Sequence, residues 1–361
     1  MANIVRALGL MSGTSADGVD AAIIETDGET VHAFGPCHTV PYATGLRTAV
    51  LAAMTAGVAP PGLADAVTRA NAEAAQALLA LAGPVDVVGM HGQTILHEPE
   101  RRRTVQIGDG AALARMLGVP VVDQFRLADV GAGGQGAPLV PVFHQALARL
   151  LGPVAVLNIG GVANVTFTGD PLLAFDTGPG NALMDDWIGR HTGAAFDAGG
   201  KLAARGRADP ARLQALLAHP YFDRTPPKSL DRHAFSLDPL IGLSAADGAA
   251  TLLAFTVASI ALAARHAPLR HATPRRWLVT GGGRHNATLM AALAQALVRV
   301  DPVEAVGWDG DALEAQAFAF LAVRSLRGLP LSFPGTTGVP APMRGGTHHG
   351  VMPPLVVSPV M

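Results

Sequence analysis

Residues 8–20 read LGLMSGTSADGVD, and the way the chain enters and leaves this stretch decides the fold. An apolar segment, 4–10, runs into a short loop of glycine and hydroxyl residues, and a second apolar segment, 19–26, leaves it. Gly13, Thr14, Ser15 and Gly18 make a tight turn between two strands, where glycine gives a ligand room against the backbone. A concavity lined with backbone N–H groups suits phosphate. The loop lacks a Gly-Lys-Ser/Thr ending, and a strand rather than a helix follows it. The P-loop and the dinucleotide fingerprint, which both set phosphate on a helix N-terminus, are excluded. A hairpin that needs glycine for its own sake is the plain alternative.

Working outward, strands are expected at 4–10, 19–26 and 30–40, and helices at 44–56 and 62–82. Short strands end at His91-Gly92-Gln93-Thr94 and at Asp123, with a strand at 104–107 and a helix at 109–117 between them. This alternation argues for an α/β fold. Near residue 154 the pattern starts again: apolar 154–159, a Gly160-Gly161 turn, a strand at 162–168 and another at 172–175. The echo is weak as a sequence repeat but telling as architecture, because two related halves would each carry a glycine turn. Residues 196–236 read as a loop-rich insertion. Helices at 247–265, 287–297 and 311–327 and a strand at 277–280 complete the second half. The expected domains are 1–150 and 151–345, followed by a Pro/Gly-rich tail, 346–361.

The chain has 361 residues, 49% of them hydrophobic and 15% charged, which is the composition of a packed globular protein. A net charge of −2 and only 5% aromatic residues argue against nucleic acid as a partner. Cys37 is the only cysteine, so neither an internal disulfide nor a cysteine zinc site can form. Arg6 interrupts the apolar opening and no cleavage pattern follows, so a cytoplasmic location is expected. The longest uncharged run, 248–264, falls short of the roughly 20 residues of a membrane span and reads as a buried helix.

Two further constellations carry chemistry. In Asp176-Thr177-Gly178-Pro179-Gly180-Asn181 a carboxylate ends a strand before a glycine turn and a helix. Ligands collect at such strand ends, where a carboxylate serves as general base or metal ligand; a helix N-cap is the plain alternative. In Thr280-Gly281-Gly282-Gly283-Arg284 three glycines bare the backbone to a flat ring or a pyrophosphate, or simply fit a crowded turn.

The order of these three elements resembles the actin, sugar-kinase and Hsp70 ATPase superfamily. Longer motifs narrow it: GMHGQTILHEP at 89–99, TVQIGDGAALA at 104–114, VDQFRLADVGAGGQGAPLVP at 122–141, LNIGGVANVT at 157–166, FDTGPGNALMDDW at 175–187, VTGGGRHN at 279–286 and DALEAQAFAFLAVRSLRGLP at 311–330. Together with GLMSGTSADGVD at 9–20 they are similar to the anhydro-N-acetylmuramic acid kinase family over nearly the whole chain. The resemblance implies two duplicated actin-like (ribonuclease H-like) domains with mixed sheets flanked by helices around a central cleft. It implies hydrolytic opening of 1,6-anhydro-N-acetylmuramic acid with phosphorylation of O6 from ATP, in peptidoglycan recycling.

On this resemblance Asp176 is the base that activates water. Ser12, Gly13, Thr14, Ser15, Ala16, Asp17, Gly18 and Val19 would cradle the β- and γ-phosphates. Asn158, Gly160 and Gly161 would form the second phosphate hairpin, and Gly281, Gly282 and Gly283 would face adenosine. Asp17 or Asp20 would hold Mg²⁺. His91, Gln93, Thr94, Asp123, Arg126 and Glu314 would meet the sugar, Arg126 through a fork on its lactyl carboxylate. For His91 a satisfied structural histidine, and for Arg126 a salt bridge to Asp123 or Asp129, stay open. The Pro226-Pro227-Lys228-Ser229 run has a family counterpart, but the Leu230-Asp231 pair before Arg232 departs from it, and Lys201 is an exposed lysine or a charge near phosphate. The expected partners are the sugar and ATP, without nucleic acid or membrane, and with a homodimer left open. An ATPase or polyphosphate hydrolase on the same scaffold, or a silent nucleotide-binding protein, are the rival readings.

Overall fold

The computed structural model describes residues 4–231, 234–267 and 274–350. These fall into two compact units, 4–147 with 312–350 in one and 148–311 in the other. Arg232, in the segment after Pro226-Pro227, and 351–361 of the expected tail lie outside the described residues.

In the first unit β1 (Val5–Ser12), β2 (Gly18–Thr26) and β3 (Val31–Pro41) form an antiparallel meander. β4 (Val87–Glu98) adds parallel to β1, β5 (Arg103–Ile107) pairs antiparallel with β4, and β6 (Val121–Asp123) lies parallel to β4. Leu8 and Leu10 point to one face, into a core shared with Val50, Val67 and Leu78 of helices Thr44–Ala56 and Leu63–Ala82. Ala7 and Gly9 alternate to the other face, where helix Leu313–Leu326 lies. A Cβ on Gly9 would come within 1.8 Å of Ala315 O, and one on Gly89 within 2.1 Å of Phe318 O. Only glycine lets the helix seat this close to β1 and β4. Residues 312–345, expected in the C-terminal domain, therefore group with the N-terminal unit, as do the described tail residues 346–350.

In the second unit β7 (Ala155–Ile159), β8 (Val162–Phe167) and β9 (Leu173–Pro179) form the meander, and β10 (Trp277–Thr280) and β11 (Val300–Pro302) extend it in parallel. Among the described residues the order β11-β10-β7-β8-β9 repeats β6-β4-β1-β2-β3 of the first unit. The first unit adds β12 (Thr347–His349) outside β6. Two copies of one mixed sheet, each with helices against it, make the duplicated actin-like α/β fold. The long uncharged run forms helix Ala245–Ala263, whose Leu252, Phe255 and Ile260 sit in the second core. Its extension, Ala245–His266, is the one described helix with the length and apolarity to cross a membrane.

Two strands break their regular pairing where chemistry was expected. β1 and β4 pair at Leu10↔Met90 and next at Ser12↔Gln93, which leaves one extra residue in β4 around His91-Gly92. Beyond it the strand takes β5 as partner. His91, Gln93 and Thr94, expected at a strand end, thus lie inside a strand at a bulge. β8 and β9 pair at Ala163↔Gly178 and Asn164↔Asp176, leaving Thr177 as the extra residue. Asp176, also expected at a strand end, is interior to β9. Bulges re-aim side chains, which suits both places.

Candidate active site

The loop between β1 and β2 hangs on one buried residue. Ala16 is fully buried with φ 51°, while Thr14, Ser15 and Asp17 on either side are exposed. The ends are tied: Ser12 Oγ lies 2.8 Å from Gly18 O and 2.7 Å from Gln93 Oε1, and Gln93 Nε2 donates to Gly13 O at 3.1 Å. Gln93, expected to meet a sugar, is committed at both ends of its amide to holding this loop. Arg47 Nη2 pairs with Asp17 Oδ1 at 3.0 Å, but both side chains are exposed. Such a pair contributes about 1 kcal/mol or less and does not withhold Asp17 from a ligand. Asp20, on β2, accepts from Thr39 Oγ1 at 2.6 Å.

A second cluster gathers around Arg126. Its Nε and Nη2 approach His91 Nε2 at 3.1 and 2.9 Å, and its Nη1 donates to Gly136 O at 2.7 Å. His91 Nδ1 faces Gly92 O at 2.8 Å, which places the ring proton there and leaves Nε2 as acceptor. Burial, and then the adjacent Arg126 charge, hold the His91 pKa down at about 3, so the ring is neutral. Its face packs on Phe318, 4.7 Å between centroids. The satisfied histidine is therefore the better description: it aims Arg126. Neither expected salt bridge of Arg126 forms. Asp123 accepts from Gly110 N at 3.2 Å and pairs with His349 at 2.9 Å, and Asp129 accepts from Gly136 N, Ser332 and Thr337. Burial raises the Asp123 pKa, and the His349 hydrogen bond pulls it back in part.

Glu314 opens to solvent in the first turn of helix Leu313–Leu326, yet its carboxyl is partly desolvated. That desolvation raises its pKa, Arg126 lowers it, and Asp20 adds a smaller repulsion. Charges on three separate segments thus feel one another at this end of the sheet. Thr94 is half-buried and accepts from Gln106 Nε2 at 3.1 Å.

In the second unit Asp176 is mostly buried on the bulge of β9. Its Oδ2 accepts from Leu230 N at 2.7 Å, and no cation among the described residues pairs with it. Burial dominates, raising its pKa to about 7, and the single backbone hydrogen bond opposes this. A carboxyl poised there suits proton abstraction near neutral pH.

The glycines separate into two kinds. A Cβ on Gly281 or Gly283 would strike Asn158 Oδ1 at 2.3 Å or the Ile159 side chain at 2.5 Å, so these two are demanded by packing. Added Cβ atoms at Gly13, Gly160, Gly161 and Gly282 would meet nothing nearer than 3.5 Å. At those four positions an added methyl group would make only ordinary contacts, so packing does not demand glycine there. Carbonyls of Gly160 and Gly161 accept from Asn181 N and Ala182 N, at 2.8 and 3.2 Å, at the start of helix Ala182–Thr192. Lys201 is exposed.

The family model for anhydro-N-acetylmuramic acid kinase matches residues 5–349. The chain belongs to the anhydro-N-acetylmuramic acid kinase family. It is 59% identical over 358 residues to the anhydro-N-acetylmuramic acid kinase of Rhodospirillum rubrum, covering 95% of this chain and 94% of that one. To the enzyme of the same name from Paramagnetospirillum magneticum it is 56% identical, covering 95% and 99%. Among solved structures it is similar to (R)-2-hydroxyglutaryl-CoA dehydratase component A of Acidaminococcus fermentans, at TM-score 0.45 and 14% identity, covering 88% and 99%.

Against the family motifs, the sequence left two partnerships unseen. Tyr221, Lys228 and Leu230 reach Asp176 from about fifty residues away, and no periodicity links a loop-rich stretch to a strand. The Pro226-Pro227-Lys228-Ser229 run was the signal, but it named no partner. The departure at Leu230 is explained: the contact is made by its backbone N–H, so a leucine serves as well as a small residue. His349 on β12 meets Asp123 across 226 residues, beyond any local pattern.

Proposed function

We propose that this chain opens 1,6-anhydro-N-acetylmuramic acid with water and phosphorylates O6 from ATP, in the cytoplasm, in peptidoglycan recycling. The observation that carries the reading is Asp176: a carboxyl with one backbone hydrogen bond, no described cation partner, and a pKa of about 7, in the FDTGPGN motif of the family. Asp176 takes a proton from water as the water oxygen bonds to the anomeric carbon. The C1–O6 bond breaks, O6 takes the γ-phosphoryl group, and the bond to the β-phosphate oxygen of ADP breaks. Phosphoryl transfer asks mainly for positioning and charge neutralisation.

Gly13–Asp17 would cradle the terminal phosphates, with Gly160 and Gly161 as a second hairpin and Gly282 as the open glycine at adenosine. Arg126 keeps N–H groups beyond those used by His91 and Gly136, and these would hold the lactyl carboxylate. Glu314 would accept from a sugar hydroxyl. Gln93 acts through the loop it ties. For Mg²⁺ the donor set is lean: no group of three or more metal-binding side chains exists among the described residues. That fits an ion held by the nucleotide, its waters and one carboxylate, Asp17 or Asp20. Bound there, it would neutralise phosphate charge. The test is ADP release from ATP with and without the anhydro sugar. Release that depends on the sugar supports the reading, and equal release without it overturns the reading.

A further inference from the structure

We propose that Lys228 and Tyr221 are positioning residues for Asp176, and that the segment 221–230 decides which carboxylate oxygen does the chemistry. This rests on the reading of Asp176 as the base.

Among the described residues β9 is the last strand of its sheet, so one row of its backbone groups would lie open. The segment 221–230 covers that edge at Asp176. Asp176 N donates to Lys228 O at 3.0 Å, Tyr221 Oη donates to Asp176 O at 2.5 Å, and Leu230 N donates to Asp176 Oδ2 at 2.7 Å. The residue is therefore held at its amide, its carbonyl and one carboxylate oxygen. Oδ2 is occupied by the Leu230 amide, which leaves Oδ1 to receive the proton of water.

Lys228 fastens this collar. It is buried, its Nζ donates to Tyr221 O at 3.1 Å, and it lies 4.5 Å from the centre of the Tyr221 ring. One ammonium thus fixes both the backbone and the ring of the residue whose hydroxyl holds Asp176 O. A methionine would fill the same space and leave Tyr221 unheld. Other charged or titratable groups among the described residues face the collar, and none of these pairs with Asp176. Arg224 lies over the Tyr221 ring at 5.7 Å, Arg265 donates to Phe222 O, His266 packs on Phe175, and Asp223 acts on Lys228. Burial chiefly, with Arg265 and Arg224, lowers the Lys228 pKa to about 8.

The test uses the full chain, with ATP and the anhydro sugar, and records kcat, KM for ATP and the pH profile of kcat/KM. For Lys228→Met a kcat loss of about 10- to 100-fold is expected, the scale of a misplaced catalytic group. KM for ATP should hold, and the acid limb should move to lower pH as water reaches a loosened carboxyl. Lys228→Arg, which keeps a donor, should recover part of the loss. Tyr221→Phe, which removes one hydroxyl, should move the limb the same way with a smaller kcat loss, and it decides alone if Lys228→Met does not fold. Asp176→Asn runs beside them. Retained turnover in Asp176→Asn overturns the base reading itself. An inactive Asp176→Asn beside folded collar variants with wild-type kcat and acid limb overturns this proposal, as does a loss of stability with the limb unmoved.

Discussion

Glu314 and Asp176 are the carboxyl groups to compare, one on the helix that packs against the first sheet and one on a strand of the second. Desolvation raises the pKa of both. Beside Glu314 the chain supplies a guanidinium, Arg126, aimed by a neutral histidine. Beside Asp176 the described residues supply a backbone N–H and no paired cation. At Glu314 a cation opposes that rise, whereas at Asp176 one backbone hydrogen bond opposes it and the carboxyl exchanges protons near pH 7. The strand order is common to both units, and the loops that cover each sheet set the difference in chemistry.

The change that should break this contrast most severely is Asp176→Asn. It keeps the shape and removes the base, so sugar phosphorylation should fall about 10²- to 10⁴-fold, measured by coupled ADP release. Next is Arg126→Ala, which should raise KM for the sugar about 10- to 100-fold, the worth of a charge-assisted hydrogen bond of about 1.5–3 kcal/mol, and leave KM for ATP near its wild-type value. In the wild type kcat/KM should fall below about pH 7 with a slope of one proton, as Asp176 with its pKa of about 7 becomes neutral. The same group acts on stability with a definite sign. Its folded pKa exceeds the ordinary 3.8, so its contribution is full below pH 3.8 and is lost as pH rises through 7. Asp176→Asn should therefore gain melting temperature over the wild type at pH 8 and lose that gain by pH 4. The smallest contrast sharpens the glycine reading: Gly283→Ala should lower stability by about 1–3 kcal/mol through the clash with Ile159, whereas Gly282→Ala should melt like the wild type and weaken ATP binding.

Much of the scaffold was legible because its signals are local. The apolar segments around Gly13 and Gly160 predict hairpins, and hairpins they are. The destination of helix Leu313–Leu326 was not legible. It depends on bare glycines at 9 and 89, which meet Ala315 and Phe318 only once the sheet has formed. Bulges were equally hidden, since one extra residue at His91-Gly92 or Thr177 leaves the composition of a strand unchanged. At the candidate site, residue types pointed to chemistry but not to partners. Gln93 and Asp123 look like ligand groups by type, yet one ties a loop and the other a C-terminal strand. Arg126 and Asp176 gained from the structure what the sequence lacked, namely what orients each of them.

The most direct test of the central claim follows the oxygen of water. The reaction is run with ATP and anhydro-N-acetylmuramic acid in ¹⁸O-water, quenched early, and the sugar phosphate is analysed by mass spectrometry. One solvent oxygen is expected at the anomeric carbon, none in the phosphoryl group, and one ADP per labelled sugar. Label appearing instead in inorganic phosphate, with the anhydro bond intact, would contradict that claim.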